Sequence, residues 1–481
     1  MPLVVGADSS TQSTKVEVRD AETGRRWGHG RRPHPETIPP RSEQDPSSWW
    51  AAMIQAIHEA GRYNVAAMSV CGQQHGLVGL DREGQPVHPA KLWNDTESAD
   101  QAAALVDGLG PEVWAQAVGS VPVASYTISK LAWLREREPD AYARLEHILL
   151  PHDWLTWRLT GHMVTDRGDA SGTGYWSPSE GRWRPDLLRL IDPDRDWLEA
   201  LPLVLAPTEP AGPLVQRSAR PLGLDGVDVI IGPGTGDNMG AALGTNLQPG
   251  DVLVSLGTSG VVSTVSTHPV TDPSGAVAGF ADATGRWLPL VCTLNAMKVI
   301  DTMSRLLGVE PTQLGELAAE GPPGAGGVSL VPYFDGERTP NRPYASGTLL
   351  GLRSSTTTTQ IARAAVEGVV CGILDGLDAL QVAGPLEGRL LLVGGGARLA
   401  AFGRVLADLA QRPVTVPSDD EPAAVGACVQ AAAVLLGRPP GEVASAWDLG
   451  QGQVIDPTLD PSTAEAVRAA YGRARDLFGA D

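Results

Sequence analysis

LVVGADSSTQSTKVEV at positions 3–18 and DVLVSLGTSGVVSTV at positions 251–265 follow one local plan, about half a chain apart. Each reads as a strand, a hydroxyl-rich turn and a returning strand. In the first copy, residues 3–7 form a short apolar run, 8–12 are turn-rich, and Val16 and Val18 alternate with polar neighbours. In the second, residues 251–256 are apolar, Gly257-Thr258-Ser259-Gly260 is the turn, and 261–265 return. The two copies share little identity, so the likeness is one of pattern. It predicts two structurally similar halves.

Strand and helix patterns alternate on either side of these copies. Asp45 reads as an N-cap with Pro46 at the first helical position, and the helix continues through 49–60. Residues 65–70 and 77–80 read as strands around the break Gly72-Gln73-Gln74-His75-Gly76. Helical patterns return at 97–106 and 128–137. Beyond the second copy, 389–393 reads as a strand, Gly394-Gly395-Gly396 as a turn and 399–409 as a helix. The last clear helix is expected at 421–436. A domain boundary near 245 divides the chain into 1–245 and 246–481, each an α/β layer structure.

The 481 residues exceed one ordinary core, which also favours two domains. An apolar content of 42% with 19% charged residues is that of a folded chain. No apolar run reaches the length of a membrane span, and positions 1–10 lack the charged and apolar regions of a secretory signal. Cys71, Cys292, Cys371 and Cys428 are too scattered for a zinc site or disulfide framework, so reduced, mostly buried thiols in a cytoplasmic protein are expected. A net charge of −19 argues against a nucleic-acid partner. It does not exclude ATP, whose phosphates backbone amides and Mg²⁺ can hold locally.

A hairpin turn of Gly, Ser and Thr lets the backbone approach a phosphate and supplies amide and hydroxyl donors. Asp8-Ser9-Ser10-Thr11-Gln12 and Gly257-Thr258-Ser259-Gly260 are two such turns, one per half. Facing each other across a cleft, they could grip a polyphosphate. Each alone could be an ordinary turn. No Gly-x-x-x-x-Gly-Lys-Ser/Thr motif occurs, so a P-loop is not supported. Asp8 can hold Mg²⁺ through water or simply cap its turn. Lys15 can offset phosphate charge or be a solvated strand residue. Asp237, after the glycine-rich 232–236, can accept a proton from a substrate hydroxyl or serve as a helix N-cap. Gln74 and His75 offer donors and acceptors to sugar hydroxyls; a turn histidine can also be idle. Trp93 with Asn94 can stack on and bind a sugar, or pack at a surface. Gly394-Gly395-Gly396 is bare backbone against which a base could lie, but it is not the Rossmann fingerprint.

These segments, in this order, resemble the FGGY family of carbohydrate kinases over nearly the whole chain. Asp8-x-x-Thr11 with Lys15 resembles the family's first phosphate segment and Gly257-Thr258-Ser259 its second. Gly394-Gly395-Gly396-Ala397-Arg398 resembles the adenosine segment. Pro332 through Pro340 and Gly347 through Leu352 resemble the signature region of the second domain. The resemblance implies two ribonuclease-H-like, actin-like ATPase domains with a catalytic cleft between them. The first domain would bind sugar and the second nucleotide. Within the family the likeness is greatest to members that phosphorylate D-xylulose: Gly72-Gln73-Gln74-His75-Gly76, Leu92-Trp93-Asn94-Asp95, Leu149 through Asp153, Thr160-Gly161, Asp166 through Gly172 and Gly236-Asp237-Asn238 all fit. Arg-Glu in place of Gln74-His75 would have indicated glycerol.

The resemblance implies that Asp237 is the general base. Gln74, His75, Trp93, Asn94, Asp237 and Asn238 would bind D-xylulose. Thr11, Gln12, Lys15, Gly257, Thr258, Ser259, Gly395, Gly396, Ala397 and Ala400 would bind ATP, with Mg²⁺ near Asp8. Two positions depart from the pattern: Gln74 stands where relatives have Met, and Ala400 where some place an adenine-contacting Asn. Ribulose and gluconate are the rival acceptors. An actin-like ATPase that phosphorylates no metabolite is the rival class. The partners expected are the sugar and ATP, with neither nucleic acid nor membrane, and a homodimer is left open.

Overall fold

In the computed structural model, which describes residues 1–38, 40–342 and 344–477, the chain forms two compact units. The first comprises Met1–Asn246, Thr267–Leu288 and Glu421–Leu449; the second comprises Leu247–Ser266, Pro289–Asp420 and the chain from Gly450 onward. The chain leaves the first unit one residue past the expected cut at 245. Two later segments then return to it, so the units are not the contiguous pieces 1–245 and 246–481.

In the first unit, β1 (Leu3–Ser9) pairs antiparallel with β2 (Ser13–Asp20), which pairs antiparallel with β3 (Arg26–Pro33). On its other side β1 runs parallel to β4 (Val65–Gly72), and β4 runs parallel to β5 (Ile230–Ile231) and to β6 (Thr235–Gly236). Strands β1 and β4 are buried almost throughout, as a parallel arrangement covered on both faces requires. Helix Pro46–Ala60 starts where the sequence predicts, with Asp45 accepting from Ser47 N–H and Pro46 in the first turn. Its Trp49, Met53 and Ile57, spaced by four, join Val5, Val16, Met68 and Trp154 in one core.

Helix Pro422–Leu436 also packs in this unit, against β1 and against helix Asp237–Gly244. The helices cross backbone to backbone: a Cβ at Gly426 would lie 2.0 Å from the carbonyl oxygen of Gly240. Only glycine permits that approach, and the crossing fixes the helix that begins at Asp237. The Gln430 amide adds a tie, accepting from Ser69 Oγ at 2.9 Å and donating to Gly234 O at 2.9 Å.

The second unit repeats the plan. Strand β7 (Val252–Leu256) pairs antiparallel with β8 (Gly260–Thr264), and β8 with β9 (Trp287–Thr293). On its other side β7 runs parallel to β10 (Leu390–Val393), which continues to β11 (Val414–Pro417) and β12 (Gly452–Ile455). Helix Thr358–Ala379, 22 residues long, packs on this sheet. The sequence predicts the helix at Pro422–Leu436 to be the last clear one, and it is not. Pro461–Asp476 forms another, with Asp460 accepting from Thr463 N–H. Its polar composition hides it, because only one narrow face, with Ala464, Val467 and Tyr471, is buried. No helix among the described residues is long and apolar enough to cross a membrane, and all four cysteines are buried and unpaired with one another.

Candidate active site

Register brings the first unit's polar groups together. Asp8 and Ser9 lie opposite Cys71 and Gly72, while Thr235 and Gly236 lie opposite the same two residues from the other side. Three parallel strands therefore end level, and the chain leaving each carries Asp8 with its turn, Gln74-His75, or Asp237-Asn238. Ligands of open α/β sheets bind at such carboxyl ends.

Asp8 is buried. Its Oδ2 accepts from Ser10 Oγ at 2.6 Å and from Lys15 Nζ at 3.3 Å, while its buried Oδ1 has no protein hydrogen-bond partner. A buried carboxylate oxygen left unpaired is costly. This hard oxygen donor beside a phosphate-type turn fits Mg²⁺, directly or through water. Lys15 also pairs with Glu421 at 3.0 Å. Burial opposes its charge, but Asp8 and Glu421 outweigh burial and hold its pKa above the ordinary lysine value. Lys15 is thus a fixed cation in this cluster, not a solvated strand residue.

Asp237 is the first residue of its helix; the N-cap position belongs to Gly236. Its Oδ1 accepts from the Asn238 backbone N–H at 2.8 Å and from Asn238 Nδ2 at 3.1 Å. Burial, then the neighbouring carboxylates of Asp8 and Asp169, push its pKa up to about 8, against the pull of the Asn238 amide and Lys15. Part of its surface stays open to solvent, as access by a substrate demands. The crowding of its carboxylate by protein atoms and by two like charges sets the upward direction. A helix N-terminus alone would have lowered it.

Gln74 and His75 are buried. Gln74 Oε1 accepts from Asn238 Nδ2 at 2.7 Å. The His75 ring stacks on Tyr126 with centroids 4.9 Å apart and tilts against Phe280 at 5.5 Å. Its Nδ1 donates to Gly172 O at 2.7 Å; a carbonyl can only accept, which puts the proton on Nδ1. This histidine is held, not idle. Trp93 Nε1 donates to Thr11 Oγ1 at 2.8 Å, joining a residue expected at the sugar to one expected at the phosphates. Asn94 keeps a buried Oδ1 without a partner, and the Gln12 side chain is exposed. Asp95, in the same segment, is structural. It joins Glu43 and Glu97 around Lys91 Nζ at 3.1, 3.0 and 2.7 Å, so the cation occupies the centre of this acidic cluster.

In the second unit, the Gly257–Ser259 turn closes with Gly257 N–H donating to Ser259 O at 3.0 Å, and its carbonyls accept from the first amides of helix Met297–Leu307. Thr258 is exposed and Ser259 half-buried. Parallel pairing of β7 with β10 places Gly394 and the turn Gly395–Arg398 at the same end of the sheet. Ala397 lies in that turn and Ala400 opens the next helix with its side chain exposed.

Sequence reasoning missed a sealed cluster in the first unit. His152 lies 2.8 Å from Asp169, 3.0 Å from Asp153 and 3.9 Å from Asp166. Asp166 Oδ2 accepts from Thr235 Oγ1, two residues before Asp237. Gln73, wholly buried, has neither amide atom in a protein hydrogen bond. The cluster lay within segments already noted for their resemblance, but nothing in their spacing shows that the side chains meet.

Two units of one topology, each ending in a hydroxyl turn, with a carboxylate and a fixed lysine in one and a glycine run in the other, define a two-domain kinase of the actin-like ATPase fold. Residues 3–244 match the N-terminal domain and 252–435 the C-terminal domain of the FGGY family of carbohydrate kinases, and the chain belongs to that family. It is 44% identical to the xylulose kinase of Streptomyces coelicolor, covering 100% of this chain and 98% of the relative. It is 45% identical to that of Streptomyces rubiginosus over 95% and 92%. The crystal structure of xylulose kinase from Bifidobacterium adolescentis superposes with a TM-score of 0.84 at 41% identity, covering 98% of this chain and 99% of that one. Plasmodium falciparum glycerol kinase, 18% identical, shares the fold at a TM-score of 0.88, with coverage of 100% and 99%.

Proposed function

We propose that this kinase transfers the γ-phosphoryl group of ATP to D-xylulose, giving D-xylulose 5-phosphate and ADP. The observation that carries the reaction type is the Asp237 carboxylate beside Asp8, Lys15 and the Gln74-His75 loop, at the level ends of three parallel strands. The full-length relatives named xylulose kinases support the choice of sugar.

In this reading the first unit, including its returning segments, binds the sugar through Gln74, His75, Trp93, Asn94, Asp237 and Asn238. The second holds ATP through Gly257, Thr258, Ser259, Gly395, Gly396, Ala397 and the backbone near Ala400. Thr11, Gln12 and Lys15 meet the transferring phosphate. Bound Mg²⁺, for which Asp8 is the carboxylate to hand, supplies charge neutralisation at the phosphates. Asp237 accepts the proton of the terminal hydroxyl, that oxygen forms its bond to the γ-phosphorus, and the bond to the β-phosphate oxygen breaks. Buried thiols throughout the chain fit a reducing compartment such as the cytoplasm.

A coupled ADP-release assay tests the reading over D-xylulose, L-ribulose, glycerol and gluconate with MgATP. D-Xylulose should give the highest kcat/KM. A clear preference for L-ribulose or glycerol overturns the sugar assignment and leaves the kinase class standing. ATP turnover indifferent to every sugar overturns both.

A further inference from the structure

We infer that Gln74 is a positioning residue for phosphoryl transfer: its Oε1 anchors the Asn238 carboxamide so that Asn238 Nδ2 donates to Asp237. The inference rests on the reading of Asp237 as the base.

A primary amide nitrogen carries two hydrogens. One hydrogen of Asn238 Nδ2 points to Gln74 Oε1 at 2.7 Å, leaving the other for Asp237 Oδ1 at 3.1 Å. Without the first contact, rotation about the Asn238 side chain could carry the donor away from the carboxylate. Gln74 cannot readily move aside, being only 4% exposed. It is also wedged over Gly236: a Cβ there would lie 2.6 Å from Gln74 Cγ and 2.8 Å from Cδ. Glycine at 236 therefore makes room for Gln74, and the residue that follows it is Asp237. The pairing of Gly236 with Gly72 in the sheet fixes the register of the two segments. The result is a relay of three side chains from the sugar loop to the carboxylate.

Donation to a carboxylate favours its ionised form. The charged and titratable groups around Asp237 are Asp8 on β1, Lys15 on β2 with Glu421 behind it, Asp169 on the 167–170 turn and the Cys71 thiol on β4. Of these, Asp169 is itself favoured in its ionised form by the Gln74 side chain, so a change at position 74 reaches Asp169 as well as Asn238. Gln74→Met therefore loosens the Asn238 donor and also relaxes Asp169, whereas Asn238→Ala removes the donor with all of these charges in place. A proton then leaves Asp237 less readily, and the acid limb of the activity profile moves to higher pH.

The test compares Gln74→Met, Gln74→Leu, Asn238→Ala and the double variant Gln74→Met/Asn238→Ala with MgATP and D-xylulose across pH 5.5–9.5. Gln74→Met and Gln74→Leu should lower kcat roughly tenfold, about the effect of one net hydrogen bond, and shift the acid limb upward. Asn238→Ala should shift the limb the same way. In the Asn238→Ala background, Gln74→Met should have little further effect on kcat, because the two residues act as one unit. Effects of Gln74→Met that fall on the sugar KM alone, or that add fully to those of Asn238→Ala, overturn the proposal. An unmoved limb in Asn238→Ala also overturns it, even if the Gln74 variants fail to fold. Asp237→Ala separates the two readings. Near-normal turnover there removes Asp237 as the base, whereas lost turnover with a negative result above removes only the role of Gln74.

Discussion

The Nδ1 atom of His152 lies 2.8 Å from Oδ2 of Asp169, with both side chains sealed from solvent. Asp153 and Asp166 crowd the same ring. Burial alone would push the imidazole down, but the three carboxylates outweigh it and lift His152 to about 9. Burial also lifts Asp153 to about 7 and raises Asp166 and Asp169. All four shifts make the folded state bind more protons than the unfolded one, so stability falls as pH rises. The imidazolium contribution is complete below the unfolded value of about 6.5 and is lost as pH climbs through about 9. Scanning calorimetry should show Tm declining from pH 6.5 to 9.5. His152→Ala should cost about 3–5 kcal/mol near neutrality by stranding buried carboxylates. A flat Tm across that range, with a harmless His152→Ala, would show that the cluster carries no net charge coupling.

Asp237 carries a second pH dependence, of activity. A base must be ionised to accept a proton, and Asp237 holds its own proton up to about 8 in the free protein. The kcat/KM for the sugar should fall on the acid side of that value. Asp237→Asn should lower kcat roughly 10²–10⁴-fold. The fold should survive, because Gly236 and not Asp237 occupies the N-cap. Ionising a carboxylate whose pKa is raised on folding costs stability, so Asp237→Asn should melt at a higher temperature than the parent above pH 8. A variant that keeps near-normal turnover assigns Asp237 no part in the chemistry.

The sequence displayed the turns of the candidate site better than the fold's long-range wiring. Both hydroxyl turns were legible because glycine, serine and threonine cluster where a backbone must bend, and Asp45-Pro46 announced its helix by local capping alone. Helix Thr358–Ala379 carried a comparable mark, the Thr357–Gln360 capping box, and could have been read the same way. The return of Glu421–Leu449 to the first unit could not: it depends on a glycine crossing between Gly240 and Gly426, 186 positions apart. The His152 cluster was hidden for a similar reason. Its four members are near in sequence, but a helix and a strand must fold together before their side chains converge. Gln74 stood out as a departure from the family pattern; only its contact with Asn238 gives that departure a role.

The two turns should separate nucleotide from sugar kinetically. Thr258 and Ser259 are accessible at the end of β7, and the backbone of their turn is held by helix Met297–Leu307 without help from either hydroxyl. A hydrogen bond to a charged phosphate is worth about 1.5–3 kcal/mol. Ser259→Ala or Thr258→Val should therefore raise the KM for ATP roughly ten- to hundredfold, with the melting temperature and the sugar KM close to the parent values. Steady-state titration of each substrate checks this. A rise in the sugar KM with normal ATP kinetics would place the turn in the wrong subsite.

His75 permits a control in which backbone and ring are tested apart. Its φ is +66°, a left-handed conformation that glycine adopts freely and other residues adopt at a cost. The ring is nevertheless fixed there by Tyr126 and by the bond to Gly172 O. The Nδ1–H donation to Gly172 O sets the orientation in which the ring stands in the Gln74-His75 loop. Both His75→Ala and His75→Gly delete the ring, so both should raise the KM for D-xylulose by about tenfold or more, the scale of one lost polar contact. They should leave nucleotide affinity unchanged. Only His75→Ala keeps a Cβ in the left-handed backbone, so it should melt at a lower temperature than His75→Gly, by about 1 kcal/mol in stability. Calorimetry and sugar titration on the pair distinguish the outcomes. Equal sugar KM values for parent, Ala and Gly would remove His75 from the sugar site, and an order of stability with Gly below Ala would refute the strained backbone.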